Sequence, residues 1–527
     1  MWTRKAVTTQ LAGLWQSRRW SGVLAVFALS ACAVGPDYVR PEAPDGASSQ
    51  QSFKEDGPWR QAMPAAPDPH TPWWQAYGDR RLNALVEQAT AANQTVAQAQ
   101  AQYQAAQTLV QGAQASYFPV VGINAAGQRA RTVSSGSSTL GDSHSWSLSA
   151  AWEPDFWGRV SRNVESTQDT AQATAADLAA AQLAVQASVV NDYLQLRILD
   201  RQQALYTRTT AGYGKSLQLT EAQLHAGVAT RAEVSLAEST LAAAQAQALD
   251  VDLMRRQLEH ALAVLLGRTP ADFSLPADET VVLPGLPGMP LGLPSQLLER
   301  RPDIAGAERQ AAAANAQIGV AQAAFYPNLT LSASGGNSGP GLGLLSWAAA
   351  PGKVWALGLA LAGTLFDGGA RSANLAHARA SFEVTAASYR QTVLNGFQEV
   401  EDNLAAMNDL QQEYTAQQRA STAAQTAERV ALSQYRAGTV TYINVITAQA
   451  LALSNERAAL QVQGRAYAAS VALIKALGGG WCTAQLPPAG EKHPKSAAVD
   501  PDLCGSAIAG RETAAVPTTE LENDHEQ

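Results

Sequence analysis

The chain has 527 residues, 16% of them charged and 46% hydrophobic, with a formal charge of −8 and a mean hydropathy of −0.14. That length allows several domains, but much of the hydrophobic share is alanine, and the acidic balance argues against nucleic acid as a partner. Past the N-terminus there is no run of 18 apolar residues, so no spanning helix is expected there.

In chain order, Arg4, Lys5, Arg18 and Arg19 precede the short apolar run Val23 to Leu29. This is the basic region and hydrophobic region of a secretory signal. It closes on Leu29-Ser30-Ala31-Cys32, which resembles a bacterial lipobox and predicts cleavage before Cys32 and acylation of that cysteine. An ordinary signal peptide with a chance cysteine is the plainer alternative. Ala33 follows, rather than the Asp that in such lipoproteins commonly favours retention at the inner membrane. Loss of residues 1–31 removes four basic residues and no acid, leaving 33 Lys+Arg against 45 Asp+Glu and a formal charge of −12. With Cys32 acylated, only Cys482 and Cys504 remain, both near the C-terminus; an oxidising envelope compartment lets them pair, and two free thiols are the alternative.

Residues 33–80 hold Pro36, Pro41, Pro44, Pro58, Pro64, Pro67, Pro69 and Pro72, a density that opposes helix and predicts an extended strap. From Leu82 to Tyr117 the sequence turns Ala/Gln-rich, reading as a helix stopped by Pro119. Trp146, Leu148, Ala150 and Trp152 then alternate with Ser145, Ser147, Ser149 and Ala151, the two-residue period of a strand with one apolar face. With Val121, Ile123 and Ala125 before them they predict a hairpin whose loop is the Gly/Ser-rich stretch 132–143. A very long helix is expected over 159–225, about 100 Å at 1.5 Å per residue, then a turn at Gly227 and a return helix ending near Leu266. In the long helix Val185, Val189, Leu196 and Leu199 form one apolar stripe, and Leu183, Val190 and Leu194 a second. Two stripes call for two helical neighbours, which a plain coiled-coil rod does not supply.

The series then recurs. Val110 to Ile123 reappears as Ile318 to Leu331, with Pro119 on Pro327, and Leu224 to Val234 aligns with Tyr435 to Val445, Gly227 falling on Gly438. A unit of about two hundred residues is too long for a small-repeat solenoid and points to a duplicated half-protein. The second copy predicts a helix from Ser295 to Phe325, a hairpin from Leu329, Leu331, Ala333 and Trp355, Leu357, Leu359, Leu361 with a loop at 335–353, a long helix over 371–436 and a return helix ending near Leu477. Strands of about ten residues with alternating faces and Trp at the ends suit an outer-membrane barrel, although one soluble hairpin per half gives the same pattern. Four strands cannot close a barrel, so in lipid other copies are required.

Several further motifs resemble the TolC-like outer membrane factors, in particular the lipoprotein branch serving efflux systems (NodT/OprM-like). They are Cys32-Ala-Val-Gly-Pro-Asp-Tyr-Val-Arg-Pro41, Trp73-Trp74 with Tyr77-Gly78-Asp79, Arg300-Arg301-Pro302-Asp303-Ile304, Ala323-Ala324-Phe325-Tyr326-Pro327, Leu365-Phe366-Asp367-Gly368-Gly369 and Ala476-Leu477-Gly478-Gly479-Gly480-Trp481. The resemblance covers residues 32 to 481. It implies an α+β membrane protein, a homotrimer whose twelve-stranded outer-membrane β-barrel takes four strands per chain and continues as a long periplasmic α-helical barrel. The expected organisation is a signal peptide (1–31), lipid anchor and strap (32–80), first repeat (81–285), second repeat (286–480) and Pro-rich tail (481–527).

The same resemblance implies a passive duct in the outer membrane of a Gram-negative bacterium. Its implied partners are a periplasmic adaptor, an inner-membrane pump of the RND or MFS type, and outer-membrane lipid. No catalytic role and no cofactor beyond the lipid on Cys32 are implied. The residues agree, since no Walker-type loop or nucleophile elbow occurs and the seven histidines show no metal spacing. Gly227, Val228, Gly438 and Thr439 match the tips that meet the adaptor. Ala232, Glu233, Tyr435, Val440, Asn444 and Thr447 match the periplasmic aperture, where family members often place carboxylates and a cation in the second set; here Val440, Asn444 and Thr447 leave it uncharged. Glu233 is then expected as a threefold negative ring, unless it is a solvated helix residue, and as the acceptor of a hydrogen bond from Tyr435. A type I protein-secretion duct and a pore-less structural lipoprotein are the competing readings. The transported substrate is not legible in the chain.

Overall fold

The structure, a computed structural model, describes residues 34–44, 53–55, 72–134, 136–278, 283–287, 297–341 and 352–487. The signal segment, Cys32 and Cys504 lie outside the described residues. Asp79 opens the first helix, α1 (Arg80–Ala92), by accepting from the Arg81 and Leu82 amides at 2.8 and 3.2 Å. Such a cap satisfies amides that a helix start leaves without partners. The expected single helix to Tyr117 is in fact two. Buried Asn93 has extended backbone, accepts from the Thr95 and Val96 amides at 2.9 and 3.2 Å, and donates to the Leu265 carbonyl at 2.9 Å. It thereby ends α1 and caps α2 (Gln94–Ala115).

The first hairpin is β1 (Val120–Ser134) with β2 (Ser137–Trp152). Its loop is far shorter than the expected 132–143, because Thr132, Val133 and Ser134 pair with Thr139, Ser138 and Ser137. Next come α3 (Arg159–His225), of 67 residues, and α4 (Arg231–Leu265), of 35. The helix expected over 295–325 is cut at Arg301 into α5 (Leu297–Arg300) and α6 (Pro302–Ala323), since a proline drives the residue before it out of helical backbone. The second hairpin, β3 (Asn328–Pro340) and β4 (Lys353–Ala362), again keeps the start of its expected loop in the ladder. Then α7 (Ala370–Arg436) and α8 (Tyr442–Ala476) repeat the lengths 67 and 35.

The chain forms two compact units. One gathers residues 34–42, 102–174 and 306–389, and contains the whole sheet, antiparallel in the order β1-β2-β3-β4. Its register sorts the side chains cleanly, because directly opposed residues share a face. Ile123 faces Leu148, Ala125 faces Trp146, Leu331 faces Trp152 and Leu359, and Leu357 faces Ala333. All of these lie on one face. Trp355, Leu357, Leu359 and Leu361 on it are 77, 76, 69 and 67% exposed, so this apolar surface has no cover among the described residues. The elbows between helix and strand are tied by indole N–H groups, Trp152 donating to the Tyr117 carbonyl at 2.9 Å and Trp157 to that of Pro327 at 2.8 Å. The Pro-rich strap docks in the same unit. Tyr38 donates to Glu308 at 2.8 Å, Asp37 pairs with Arg162 at 2.9 Å, and Gly35 crosses α6 so closely that a Cβ on it would lie 2.6 Å from the Gly319 Cα.

The other unit holds residues 43–101, 175–305 and 390–487 of the described chain. Most of both stripes of α3 is buried there: Val185, Val189, Val190, Leu194 and Leu196 join Leu82 and Val86 of α1 and Tyr467, Val471 and Ile474 of α8 in one core, Leu183 is buried outside it and Leu199 is half-buried. Two neighbours for two stripes is what the sequence pattern required. Inside this unit Arg197, Asp200 and Arg255 form a buried charged network with half-buried Glu259 at its edge. Asp200 accepts from Arg197 at 2.8 Å and Arg255 at 2.7 Å, and Arg255 also reaches Glu259 at 3.0 Å and the Leu275 carbonyl at 2.6 Å, pinning the segment after α4. Phe53 is buried against Val400, Leu404 and Met407 while Glu401 accepts from the Lys54 and Glu55 amides at 2.8 and 2.9 Å. One expectation needs correcting: an 18-residue window of α3 reaches a mean hydropathy of 1.3 and is 39% buried. By length and composition that helix passes the test for a membrane span, because its many alanines score as apolar.

Candidate functional site at the helical hairpin tips

The two turns that join long to short helices lie in the second unit, and each is built on a left-handed glycine. Gly227 has φ +75° and Gly438 φ +72°, with open space where a Cβ would stand. After α3 the Gly227 amide donates to the Leu224 carbonyl at 2.9 Å and the Val228 amide to that of Gln223 at 2.8 Å; after α7 the Gly438 amide donates to Tyr435 and the Thr439 amide to Gln434, both at 3.0 Å. These are glycine C-caps, which reverse the chain while satisfying terminal carbonyls. Val228 is 75% exposed, and Gly227, Gly438 and Thr439 are exposed with it.

Just past the first tip, Thr230 and Glu233 form a reciprocal capping box. The Glu233 amide donates to Thr230 Oγ1 at 3.3 Å, and the Thr230 amide returns a bond to Glu233 Oε2 at 2.7 Å. The Thr230 backbone N–H therefore holds the carboxyl below its usual range, with smaller help from the Thr230 hydroxyl and the Tyr442 amide. Tyr442 is the first residue of α8, whose own N-cap residue, Thr441, makes no side-chain cap. Glu233 thus serves its own helix start and faces the start of the other repeat's helix.

Tyr435 does not bond Glu233, contrary to expectation. It is 5% exposed, its hydroxyl donates to Thr220 Oγ1 at 3.4 Å, and its ring lies 5.2 Å from that of Tyr442. Thr220 in turn donates to the Ser216 carbonyl at 2.9 Å, and Gln449 to the Ser216 hydroxyl at 3.3 Å. Around them Ala237, Tyr442 and Val445 are buried, with half-buried Val440 packed against them. The site residues expected from the sequence thus divide into two sets. Ala232, Asn444 and Thr447 are exposed; Tyr435 and Val440 belong to the small core that binds α3, α7 and α8 together.

Sequence reasoning missed the polar layer further along the helices. Arg208 of α3 pairs with Glu456 of α8, which also accepts from Gln425 at 3.0 Å. Burial, then the nearby Glu456 charge, raises the Glu428 carboxyl, and burial pushes the Tyr213 hydroxyl up to about 12. Arg208 and Glu456 are 248 residues apart and sit in helices full of similar residues, so no local pattern announces the pair. Among the described residues no cluster of His, Cys, Asp and Glu is arranged to hold a metal ion.

The sequence profile of the family described as "Outer membrane efflux protein" matches residues 85–268 and 293–479. The toluene efflux pump outer membrane protein TtgC of Pseudomonas putida is 31% identical over 464 residues, 87% of this chain and 94% of that one. The pyoverdine export outer membrane protein OpmQ of Pseudomonas aeruginosa is 33% identical over 421 residues, 78% and 87% of the two chains. Among solved structures, the outer-membrane channel OprN superposes with a TM-score of 0.76 at 30% identity, covering 85% of this chain and all of that one. The chain belongs to the outer membrane efflux protein family.

Proposed function

We propose that the chain is the outer-membrane duct of a tripartite efflux system. Three copies close a twelve-stranded barrel and a periplasmic helical barrel, through which small toxic molecules pass without catalysis from an adaptor and an inner-membrane pump of the RND or MFS type. One observation carries the reading: the sheet has a bare apolar face and two edges, β1 and β4, without ladder partners among the described residues. In lipid such edges leave backbone groups unsatisfied, and four strands are too few to close. Two further copies supply the missing neighbours. The matching 67- and 35-residue helices of the two halves support a duplicated chain, and the names of TtgC and OpmQ support an efflux role.

Cys32 carries the lipid in this reading. In the same reading Cys482 pairs with Cys504 in the oxidising envelope compartment, since Cys32 is acylated. The exposed tips around Gly227, Val228, Gly438 and Thr439 receive the adaptor, and Ala232, Asn444 and Thr447 line the aperture beside Glu233. Expression in a strain lacking its own duct, together with the cognate pump and adaptor, tests the proposal. Restored drug resistance and discrete conductance steps from purified protein in planar bilayers are expected; intact expression with neither outcome refutes it.

A further inference from the structure

The face of the sheet opposite the apolar one is built of small and uncharged polar residues. Along β1 it presents Gly122, Asn124, Ala126, Gln128, Ala130 and Thr132; along β2, Ser143, Ser145, Ser147 and Ser149. β3 adds Thr330, Ser332, Ser334 and Ser338, and β4 adds Ala356, Gly358, Ala360 and Ala362. None of these is ionisable and none is aromatic, in a chain with 16% charged residues. Every charge of the four strands stands on the other face, beyond the apolar band. Arg129 pairs there with Asp142 at 3.3 Å, and Arg131 and Lys353 share that side.

Most side chains on this face are short, with Val120, Gln128 and Val354 the longer ones, and two of the serines lie over glycines. Ser332 Oγ comes within 2.6 Å of where a Gly358 Cβ would be, and Ser149 donates to the Gly122 carbonyl at 3.4 Å. Hydroxyls folded onto the sheet leave a wall that wets well, because each both donates and accepts, yet offers no fixed charge to attract or repel an ion. We infer that this face lines the barrel section of the duct as a charge-free, hydroxyl-coated wall, which passes solutes of either sign and none, and discriminates by girth. The inference rests on the duct reading of the preceding section. It assigns any preference for charge to the helical section, where Glu233 stands.

Single cysteines probe it in the purified full-length trimer in neutral detergent, using a cationic trimethylammonium and an anionic sulfonate methanethiosulfonate, each rate normalised to that with free cysteine. Ser145→Cys and Ser334→Cys should react with both reagents at normalised rates within twofold, while Leu148→Cys and Leu357→Cys stay inert. Ser149 lies directly opposite Ser334, so adding Ser149→Asp to Ser334→Cys should speed the cationic reagent and slow the anionic one by roughly three- to fourfold each, the effect of a unit charge about 5.5 Å away in water. A tenfold preference for one sign at Ser145→Cys or Ser334→Cys overturns the inference while leaving the duct reading intact. Reactive Leu148→Cys and Leu357→Cys with inert serine positions overturns the duct reading itself, since the apolar face would then meet water. Inertness of all four positions in folded trimer shows a packed face and overturns the inference.

Discussion

Glu233 and Tyr435 show how far a single side chain can be read. Glu three residues after Thr is a capping-box pattern, and the structure uses Glu233 in that way. Its depressed carboxyl contributes stability above the unfolded pKa of a glutamate, and that contribution is lost as pH falls through the lower folded value. Glu233→Ala should destabilise the tip by about 1 kcal/mol, seen as faster amide exchange over residues 231–236 with little change at α3. Tyr435→Phe removes one long hydrogen bond whose acceptor, Thr220, keeps its own bond to Ser216, so less than about 1 kcal/mol should be lost. The bond expected between Tyr435 and Glu233 came from matching these positions to the aperture of the family the chain resembles, and such a match does not tell which way a buried ring points. Asp169 behaves in the opposite sense to Glu233. Burial raises its carboxyl to about 6, against the attraction of Arg309 at 3.3 Å. A raised carboxylate penalises the fold above about pH 6, and the penalty disappears as acid protonates it. Asp169→Asn should therefore be at least as heat-stable as the parent at pH 7.5, and should lose the part of the parent's Tm gain that appears on lowering the pH to 5.5.

Among the elements, the long helices were the most legible and the loops the least. Gly227 and Gly438 end the 67-residue helices because a left-handed C-cap has few other occupants, and that requirement shows in the sequence. The strands ran longer than expected because Thr132 to Ser134 and Ser137 to Thr139 read as loop residues. β-propensity reflects what a face meets more than an intrinsic preference, and a face of hydroxyls is ordinary where one side is wet. Asn93 and Pro302 divide helices for local reasons that were visible but outweighed by the Ala/Gln-rich run around them. The network of Arg197, Asp200, Arg255 and Glu259 was not legible at all, since its members look like solvated helix residues until α3 and α4 are brought together. Asp200→Ala leaves Arg197 buried without its carboxylate while Arg255 keeps Glu259, and a loss of about 3–5 kcal/mol is expected, read as a lowered thermal midpoint. At the tips, Gly227→Trp or Gly438→Trp should abolish drug resistance while trimers still form: a Cβ meets open space at both positions, and the strain of a left-handed non-glycine residue, about 1–2 kcal/mol, stays local to the turn. Full resistance at normal expression would remove the tips from adaptor contact.

For the whole molecule, the two halves give the same elements in the same order, and the family profile matches each half in turn. The apolar face and free edges of the sheet are the features a single chain leaves unfinished. Their completion by two further copies is the central claim, and the mass of the purified protein in detergent, measured by native mass spectrometry, tests it most directly. A single species at three times the mass of the processed chain, surviving until heated in denaturing detergent, is the predicted result. A folded, conducting protein whose mass is that of one or two chains would contradict the account.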